Sequence, residues 1–443
     1  MDSFLDKIIQ LEIAHDGLDP ELVKRKNVKL GLRNLNGTGV VAGITSKGQV
    51  KGYEKTSAGH NIPVPGKLYY CGYDIEEMVR NVEEDRRFGF EETAYLLLTG
   101  ELPSTDDLKS FSDELAVRRP LPQMARSVIE CSSENNDQMG ALHAAVSALH
   151  KFDSDPKSSD IANITRQCID LIAKFPTIIA YNYNILRSDG ITPPSLVEPD
   201  TSLSMAENFL YMLSGKVPEK SIAHIFDISL ILHAEHGGGN NSAFAVRTVS
   251  SSLTNTYMAI CAGIASLAGS LHGGASEAVF NMMEDLKGKI RDWQDDGEVS
   301  AYLNNILEKK EYDRSGKIYG LGHPVYTVSD PREPILKQKA FRLAQDAGRL
   351  DEFHLYEKVA NISVGLIRKK KGKRACPNVD FYSGFVYDML GIPNELYTPI
   401  FAMSRLAGWT SHRIEEIIQG KLIRPSYISS LGETNKYMPL EKR

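Results

Sequence analysis

Between Thr248 and Leu271 the chain runs for 24 residues without a charged side chain. About 20 apolar residues are enough to cross a bilayer, so a run of this kind must either span a membrane or be covered by protein. Ser, Thr and Asn crowd its first half, which argues against a span. Ala259, Gly263, Ser266 and Ser270 recur at spacings of four, three and four, a small-residue stripe that lets another helix approach closely. The run is therefore expected to be a central buried helix, suited also to a subunit interface, that delivers the chain to Leu271-His272-Gly273-Gly274.

Hiding such a helix needs a large core. The chain has 443 residues, 42% of them apolar and 24% charged, enough for two to three domains or one large domain with an insertion. The formal net charge of −6 argues against a general nucleic-acid or membrane-surface role, so an anionic ligand has to be met by local cationic clusters. Cys71, Cys131, Cys168, Cys261 and Cys376 are scattered without a CxxC pair, which fits a reducing compartment. Acidic residues interrupt the apolar residues of the first 21 positions, unlike a signal or transit peptide. The expected location is the cytoplasm.

The patterning is mainly α. Residues 1–30 read as a short amphipathic helix and a polar connection. From Leu35 to Tyr73, β-prone runs separated by Gly and Pro suggest a small hairpin arrangement. Helical segments follow at Glu91–Leu98 (ending at Gly100), Met139–Leu149, Ile161–Leu186 and Ile222–His236. A polar break at Asp153–Asp160 and a proline-bearing loop at Asp189–Pro199 separate some of them. Ile222–His236 is apolar on several sides, so His236 is expected to end a core helix just before Gly237-Gly238-Gly239-Asn240-Asn241. Val279, Met282, Met283, Leu286 and Ile290 make a clean amphipathic face; Asp292–Glu298 is acidic and polar. Amphipathic helices are expected at Ile335–Ala347 and Glu357–Arg368, and apolar ones at Phe381–Leu390 and Pro399–Gly420. Residues 276–385 read as a smaller, more solvated helical domain.

Four places set a polar residue beside glycine or proline at the end of an apolar element: His236 before GGGNN, His272 before GG, His323 in GLGHPVY and Asp380 in PNVDFYSG. Each also has a structural reading. His233 and His236 fit packed core imidazoles or metal ligands, His272 a helix C-terminal histidine, and Asp380 an N-cap. His323 sits in Tyr319–Arg332, where Gly320 and Gly322 permit positive φ and Pro324 and Pro331 stiffen the chain, the pattern of a site loop or a plain connection. Together, a carboxylate and several imidazoles without a cysteine nucleophile suit acid–base chemistry on carbon. Arg332, Arg405 and Arg424 add carboxylate-binding capacity. The run Arg368–Arg374 places six cations in seven residues, suited to a phosphorylated cofactor or to a solvated helix end.

At these residues the sequence resembles the citrate synthase family. The matching stretches are HAEHGGGNNSAF (233–244), LHGGASEA (271–278), GLGHPVYTVSDPR (320–332), PNVDFYSG (377–384), FAMSRLAGW (401–409) and IRP (423–425), in the family's order and over nearly the whole chain. The resemblance implies a two-domain, nearly all-α homodimer without a required metal. Its large domain would be 1–275 with 386–443, and its small domain 276–385. The implied reaction joins acetyl-CoA, a cosubstrate, to oxaloacetate, giving citrate and CoA. In it Asp380 removes a methyl proton, His272 stabilises the enol or enolate, and His323 polarises the ketone. His236, Arg332 and Arg405 hold oxaloacetate and citrate, and Arg424 reaches the partner's site. Gly320, Leu321, Gly322 and Lys373 would contact CoA. Two features depart from the family pattern: Glu235 stands where many members have Asp, and Thr327-Val328 where relatives often carry a cation. The competing readings are a 2-methylcitrate synthase using propionyl-CoA, a zinc-dependent hydrolase built on His233, His236 and a third histidine, and a non-catalytic binding paralogue.

Overall fold

The computed structural model describes residues 3–15, 19–57, 60–132, 137–187, 196–430 and 436–442. By their contacts the residues form two units, Met1–Ile44 with Ile423–Arg443, and Thr45–Leu422. The first carries α1 (Ser3–His15) and α2 (Pro20–Arg25). Asp19 caps α2 by accepting the Glu21 N–H at 2.9 Å, and Pro20 supplies a first turn that needs no donor.

The second unit opens with β1 (Gly48–Lys55), β2 (Asn61–Tyr70) and β3 (Tyr73–Asp74), an antiparallel sheet in that order. This is the expected hairpin region, with residues 40–47 irregular. Pairing runs from Gly48↔Tyr70 to Lys55↔Asn61 and shifts between Lys51 and Tyr53, at Gly52. The shift matters because the chain of Tyr319–Arg332 packs there: a Cβ at Gly52 would lie 2.5 Å from the Val325 carbonyl oxygen.

Helices follow: α3 (Ile75–Glu84), α4 (Phe90–Thr99), α5 (Thr105–Arg118), α6 (Gln123–Ser132), α7 (Gln138–Leu149), α8 (Ile161–Leu186), α9 (Met205–Ser214), α10 (Lys220–His233), α11 (Asn241–Ser250) and α12 (Thr256–Leu267). After them come α13 (Ala275–Lys289), α14 (Asp296–Leu307), α15 (Glu333–Asp346), α16 (Leu350–Lys371), α17 (Val379–Met389) and α18 (Tyr397–Gln419). The fold is thus mainly α, and the segments expected at 91–98, 139–149, 161–186, 335–347, 357–368, 381–390 and 399–420 are helical, apart from the last residue of three of them, where helices end at Asp346, Met389 and Gln419. The loop expected at Asp189–Pro199 falls mostly on residues 188–195, outside the described residues. No helix among the described residues is long and apolar enough to cross a membrane.

Two expectations need correction. The uncharged run is two helices, not one: α11 ends at Ser250 and α12 starts at Thr256. The Ser251 and Ser252 hydroxyls donate back to the carbonyls of Thr248 and Val249, each at 2.7 Å, and Asn255 caps the new helix at Met258 N–H, so local polar groups outcompete continuation. The buried Arg413 donates to the Thr254 carbonyl at 2.6 Å, satisfying the break. The small stripe does bring helices close: a Cβ at Gly263 would stand 2.7 Å from Val246 and 3.1 Å from Trp409. Second, the core helix stops at His233, three residues short of His236. α14 starts at Asp296, inside the stretch read as acidic and polar; Asp295 caps Gly297 and Glu298, and beyond that stretch Val299, Leu303 and Ile306 face the core.

Candidate active site

The site grows from the end of α10. Gly237 adopts φ +79°, and the chain turns around the Glu235 side chain, which accepts the Gly237 N–H. His236 is presented by this turn. α18 braces it from the other side: Arg405 Nε donates to the His233 carbonyl at 2.7 Å, and Gly408 N–H donates to the Ala234 carbonyl at 3.2 Å. Phe401, one turn before Arg405, stacks under its guanidinium at 4.7 Å and meets the rings of His233 (5.1 Å) and His272 (6.4 Å). Arg405 Nη1 and His236 Nε2 are buried without a protein partner.

The Tyr319–Arg332 loop supplies the facing wall. Gly320 and Gly322 have φ of +71° and +92°, as expected. At Gly320 a side chain would in addition strike Phe381 and Val279 at 2.8 Å. His323 Nδ1 accepts from the Val325 and Tyr326 backbone N–H groups at 3.0 and 3.1 Å. Backbone N–H groups can only donate, so the neutral ring carries its proton on Nε2. The ring lies 4.9 Å from His236 and stacks on Tyr326 at 4.6 Å. At the loop's end Asp330 receives Arg332 Nε and Nη2 at 2.9 and 2.7 Å, a bidentate pair buried on both sides. Asp330 also accepts the Val379 N–H at 3.3 Å, tying the loop to the start of α17.

Asn378, and not Asp380, caps α17: its side chain accepts the Asp380 N–H at 3.0 Å. The same side chain donates to the Gly322 carbonyl at 2.9 Å, and its backbone N–H to the Gly320 carbonyl at 2.9 Å. Asn378 thus joins the segment of His323 to the helix of Asp380.

His272 approaches from α12. Its Nε2 lies 3.3 Å from the Ser242 N–H in the first turn of α11 and 2.9 Å from the Ser242 hydroxyl, which also receives Trp409 Nε1 at 3.1 Å. The Ser242 N–H fixes Nε2 as an acceptor, so the neutral His272 carries its proton on Nδ1.

Burial sets the electrostatics. Asp380 is pushed up to about 6 by burial, with Arg332 pulling the other way. His272 is lowered to about 4 by burial and by Arg405, and His236 well below its ordinary value by burial, Arg332 and His323. Burial also lowers Arg405, to about 10, with Glu235 as its main opposing charge. Asp330 stays below the usual range because Arg332 outweighs its burial. Ring contacts and these couplings bring His236, His272, His323, Arg332, Arg405 and Asp380 together. The set offers a carboxylate base, two imidazoles whose tautomers donate from opposite nitrogens, and two guanidinium groups, of which Arg332 is held by Asp330 while Arg405 keeps Nη1 without a protein partner.

The remaining expected residues are placed differently. The backbone of Gly320 and Gly322 is paired with residues 376–378, leaving fewer free groups there for a ligand. Lys373 is exposed just past Gly372, where α16 ends in left-handed conformation; within the cationic run Lys370 pairs with Glu308 at 2.8 Å. Arg424 lies in the other unit and is exposed. His233 Nδ1–H donates to the Ser229 carbonyl at 2.7 Å, and among the described residues no group of three or more His, Cys, Asp or Glu is disposed to hold a metal ion. Sequence reasoning missed Phe401, Tyr326, Ser242, Asn378 and Asp330. Two carried a signal: Phe401 is four residues before Arg405 on one helix face, and Asp330 two before Arg332 across a proline.

Known proteins are similar to this chain over most of its length. The family model described as "Citrate synthase, C-terminal domain" matches residues 35–426. The chain is 37% identical over 385 residues to the citrate synthase of Haloferax volcanii, covering 85% of this chain and 93% of that one. It is 34% identical over 376 residues to the 2-methylcitrate synthase of Shewanella oneidensis, covering 85% and 92%. The structure superposes on that of Thermoplasma acidophilum citrate synthase in ternary complex with carboxymethyl coenzyme A and oxaloacetate, with a TM-score of 0.77, 26% identity, and coverage of 94% of this chain and 99% of the other.

Proposed function

Since the chain belongs to the citrate synthase family of acyltransferases, we propose that it condenses acetyl-CoA with oxaloacetate and water to give citrate and CoA. The Asp380 carboxylate removes a proton from the thioester methyl group. His272 Nδ1–H donates to the thioester oxygen as negative charge develops there, which a preorganised donor stabilises without reorganising. The enol carbon attacks the ketone carbon of oxaloacetate, which His323 Nε2–H polarises; the new alkoxide takes up that proton. Water then hydrolyses the citryl thioester, releasing CoA. Arg405, Arg332 and His236 hold the substrate carboxylates. The observation that carries this reading is the pairing of two unpartnered buried polar atoms, Arg405 Nη1 and His236 Nε2, with the His323 ring 4.9 Å from His236. A buried polar group left unpaired costs about 1–3 kcal/mol, more when charged, and an anionic carboxylate supplies both with partners.

In this reading residues 276–385 form the smaller body, bearing His323 and Asp380, and its movement shields the reaction from water. A homodimer in which Arg424 reaches the partner's site, CoA contacts from Gly320, Leu321, Gly322 and Lys373, and a cytoplasmic location belong to the same proposal. Similarity to a 2-methylcitrate synthase supports a second reading, with propionyl-CoA as acyl donor. One methylene is worth only roughly 1–3 kcal/mol of discrimination. Thiol release with acetyl-CoA and with propionyl-CoA, at equal oxaloacetate, decides: a higher kcat/KM for acetyl-CoA is expected, and equal or higher efficiency with propionyl-CoA overturns the first reading.

A further inference from the structure

Glu235 precedes His236 and is buried, with its carboxylate folded back onto its own turn. Its Oε1 accepts the Gly237 N–H and a hydrogen bond from His412 Nε2 at 2.9 Å. Its Oε2 has no protein partner. Backbone closes on the carboxylate from two sides: a Cβ at Gly408 would stand 2.3 Å from Oε2, and one at Gly48 would stand 2.6 Å from Oε1. The longer acid therefore fits here because glycines flank it.

His412 is equally buried, on the face of α18 that also bears Arg405 and Trp409. Arg247 Nη1 points at its Nδ1 at 3.1 Å, and a guanidinium can only donate, so Nε2 carries the proton that Glu235 accepts. Arg247 is itself anchored by Glu415 and Glu416. Glu415 accepts the Ser46 N–H at 2.8 Å, extending the chain of contacts to the start of β1.

The nearest consequence lies at Arg405. Arg405 Nε is held on the His233 carbonyl at 2.7 Å, two residues before Glu235, and Arg405 Nη1 and Glu235 Oε2 are both unpartnered. A free Glu235 would be an internal rival to the substrate carboxylate. We propose that His412 is a positioning residue that holds the Glu235 carboxylate on the turn beneath His236 and away from Arg405, leaving Arg405 open to oxaloacetate. The inference rests on the assignment of Arg405 and His236 to oxaloacetate.

The test measures oxaloacetate affinity by calorimetry, and steady-state kinetics, for the full-length protein and four variants. H412N keeps an acceptor near Arg247 but withdraws the donor from Glu235; its Kd and KM for oxaloacetate should rise at least about tenfold, with KM for acetyl-CoA changed less than about twofold. H412Q, whose amide reaches the Nε2 position, should stay within about threefold of wild type. The H412N/E235Q double variant should recover most of the lost affinity, because the rival charge is gone; a general packing defect would not be repaired this way. If H412N fails to fold, E235D serves, since the shorter acid withdraws from His412 and should raise the oxaloacetate KM. Unchanged oxaloacetate affinity in folded H412N or E235D, or no recovery in the double variant, overturns the inference. A wild-type protein that binds oxaloacetate without turning it over with acetyl-CoA overturns the functional reading instead.

Discussion

The segments that present His323 and His272 solve one problem in opposite ways. Both fix the tautomer of an imidazole by aiming backbone N–H groups at one ring nitrogen, but at Nδ1 in His323 and at Nε2 in His272. Their anchorage differs as well. The His323 loop is tied down along its length: Gly66 N–H donates to the Ser329 carbonyl at 3.1 Å, Asn378 holds Gly320 and Gly322, and Asp330 holds Arg332 and Val379. The His272 segment has a shorter set of ties, by Ser242 on the ring, by His272 N–H on the Gly269 carbonyl at 2.9 Å, by Gly273 N–H on the Leu267 carbonyl at 3.0 Å, and by Thr398 on the Gly273 carbonyl; Leu271 beside it is exposed. The contrast teaches that the ketone end of the proposed reaction is set in advance, whereas the thioester end has fewer restraints.

The hardest blow to both ends at once is Asp380→Asn, which removes the proposed base. Turnover should fall by about 10²–10⁴-fold, and a loss under about tenfold would mean the base is elsewhere. The same variant should melt higher. Because burial raises the folded-state pKa to about 6, the ionised carboxylate destabilises the fold at neutral pH, and that penalty fades as pH drops through about 6. Removing the charge should add on the order of 2 kcal/mol, read by denaturant titration at pH 7; a less stable D380N would refute this account of the shift.

Next in size are substitutions that tell the two tautomers apart. Asparagine places its amide near the Nδ1 position and glutamine near Nε2. H272N should therefore outperform H272Q, while H323Q should outperform H323N, each by at least about tenfold in kcat, since loss of one such donor costs about 10²–10³-fold. The same preferred substitute at both positions would break the comparison. A gentler probe is pH. With Asp380 as the base, kcat should decline below about pH 6, approaching tenfold per unit, because the carboxyl is then protonated; a flat profile from pH 7 to 5 would exclude it. The smallest effect is expected from Gly66→Ala. A Cβ there would meet the Ser329 carbonyl at 2.2 Å, so the variant should lose about 1–3 kcal/mol and weaken oxaloacetate use before acyl-CoA use. Equal damage to both would show that the loop is not independently anchored.

Much of this was legible in the sequence because glycine, proline and cap residues announce the ends of elements. Gly100 and Gly420 stop helices in left-handed conformation where the pattern ends, and α8 spans the residues read for it. The His, Asp and Arg residues stood out because polar side chains beside glycine at the end of apolar elements are unusual. What stayed hidden was relational. Nothing local says that Asn378 bonds Gly320 and Gly322 some 56 positions away, or that Ser242 fixes the tautomer of His272. The break at residues 251–255 was hidden for another reason: serine hydroxyls bonding back to helix carbonyls look, in composition, like an uninterrupted uncharged helix.

One helix, α18, carries Phe401, Arg405, Trp409 and His412 on a shared face, and through them touches His233, Ser242, Glu235 and His272. Such a helix is a ruler whose marks must keep their phase. Inserting or deleting a single residue between positions 401 and 412 would turn everything beyond it by about 100° and slide it by about 1.5 Å. Length change is thus forbidden in this stretch even where individual side chains tolerate replacement, and variation in chain length among working descendants of this protein has to be found in its surface connections.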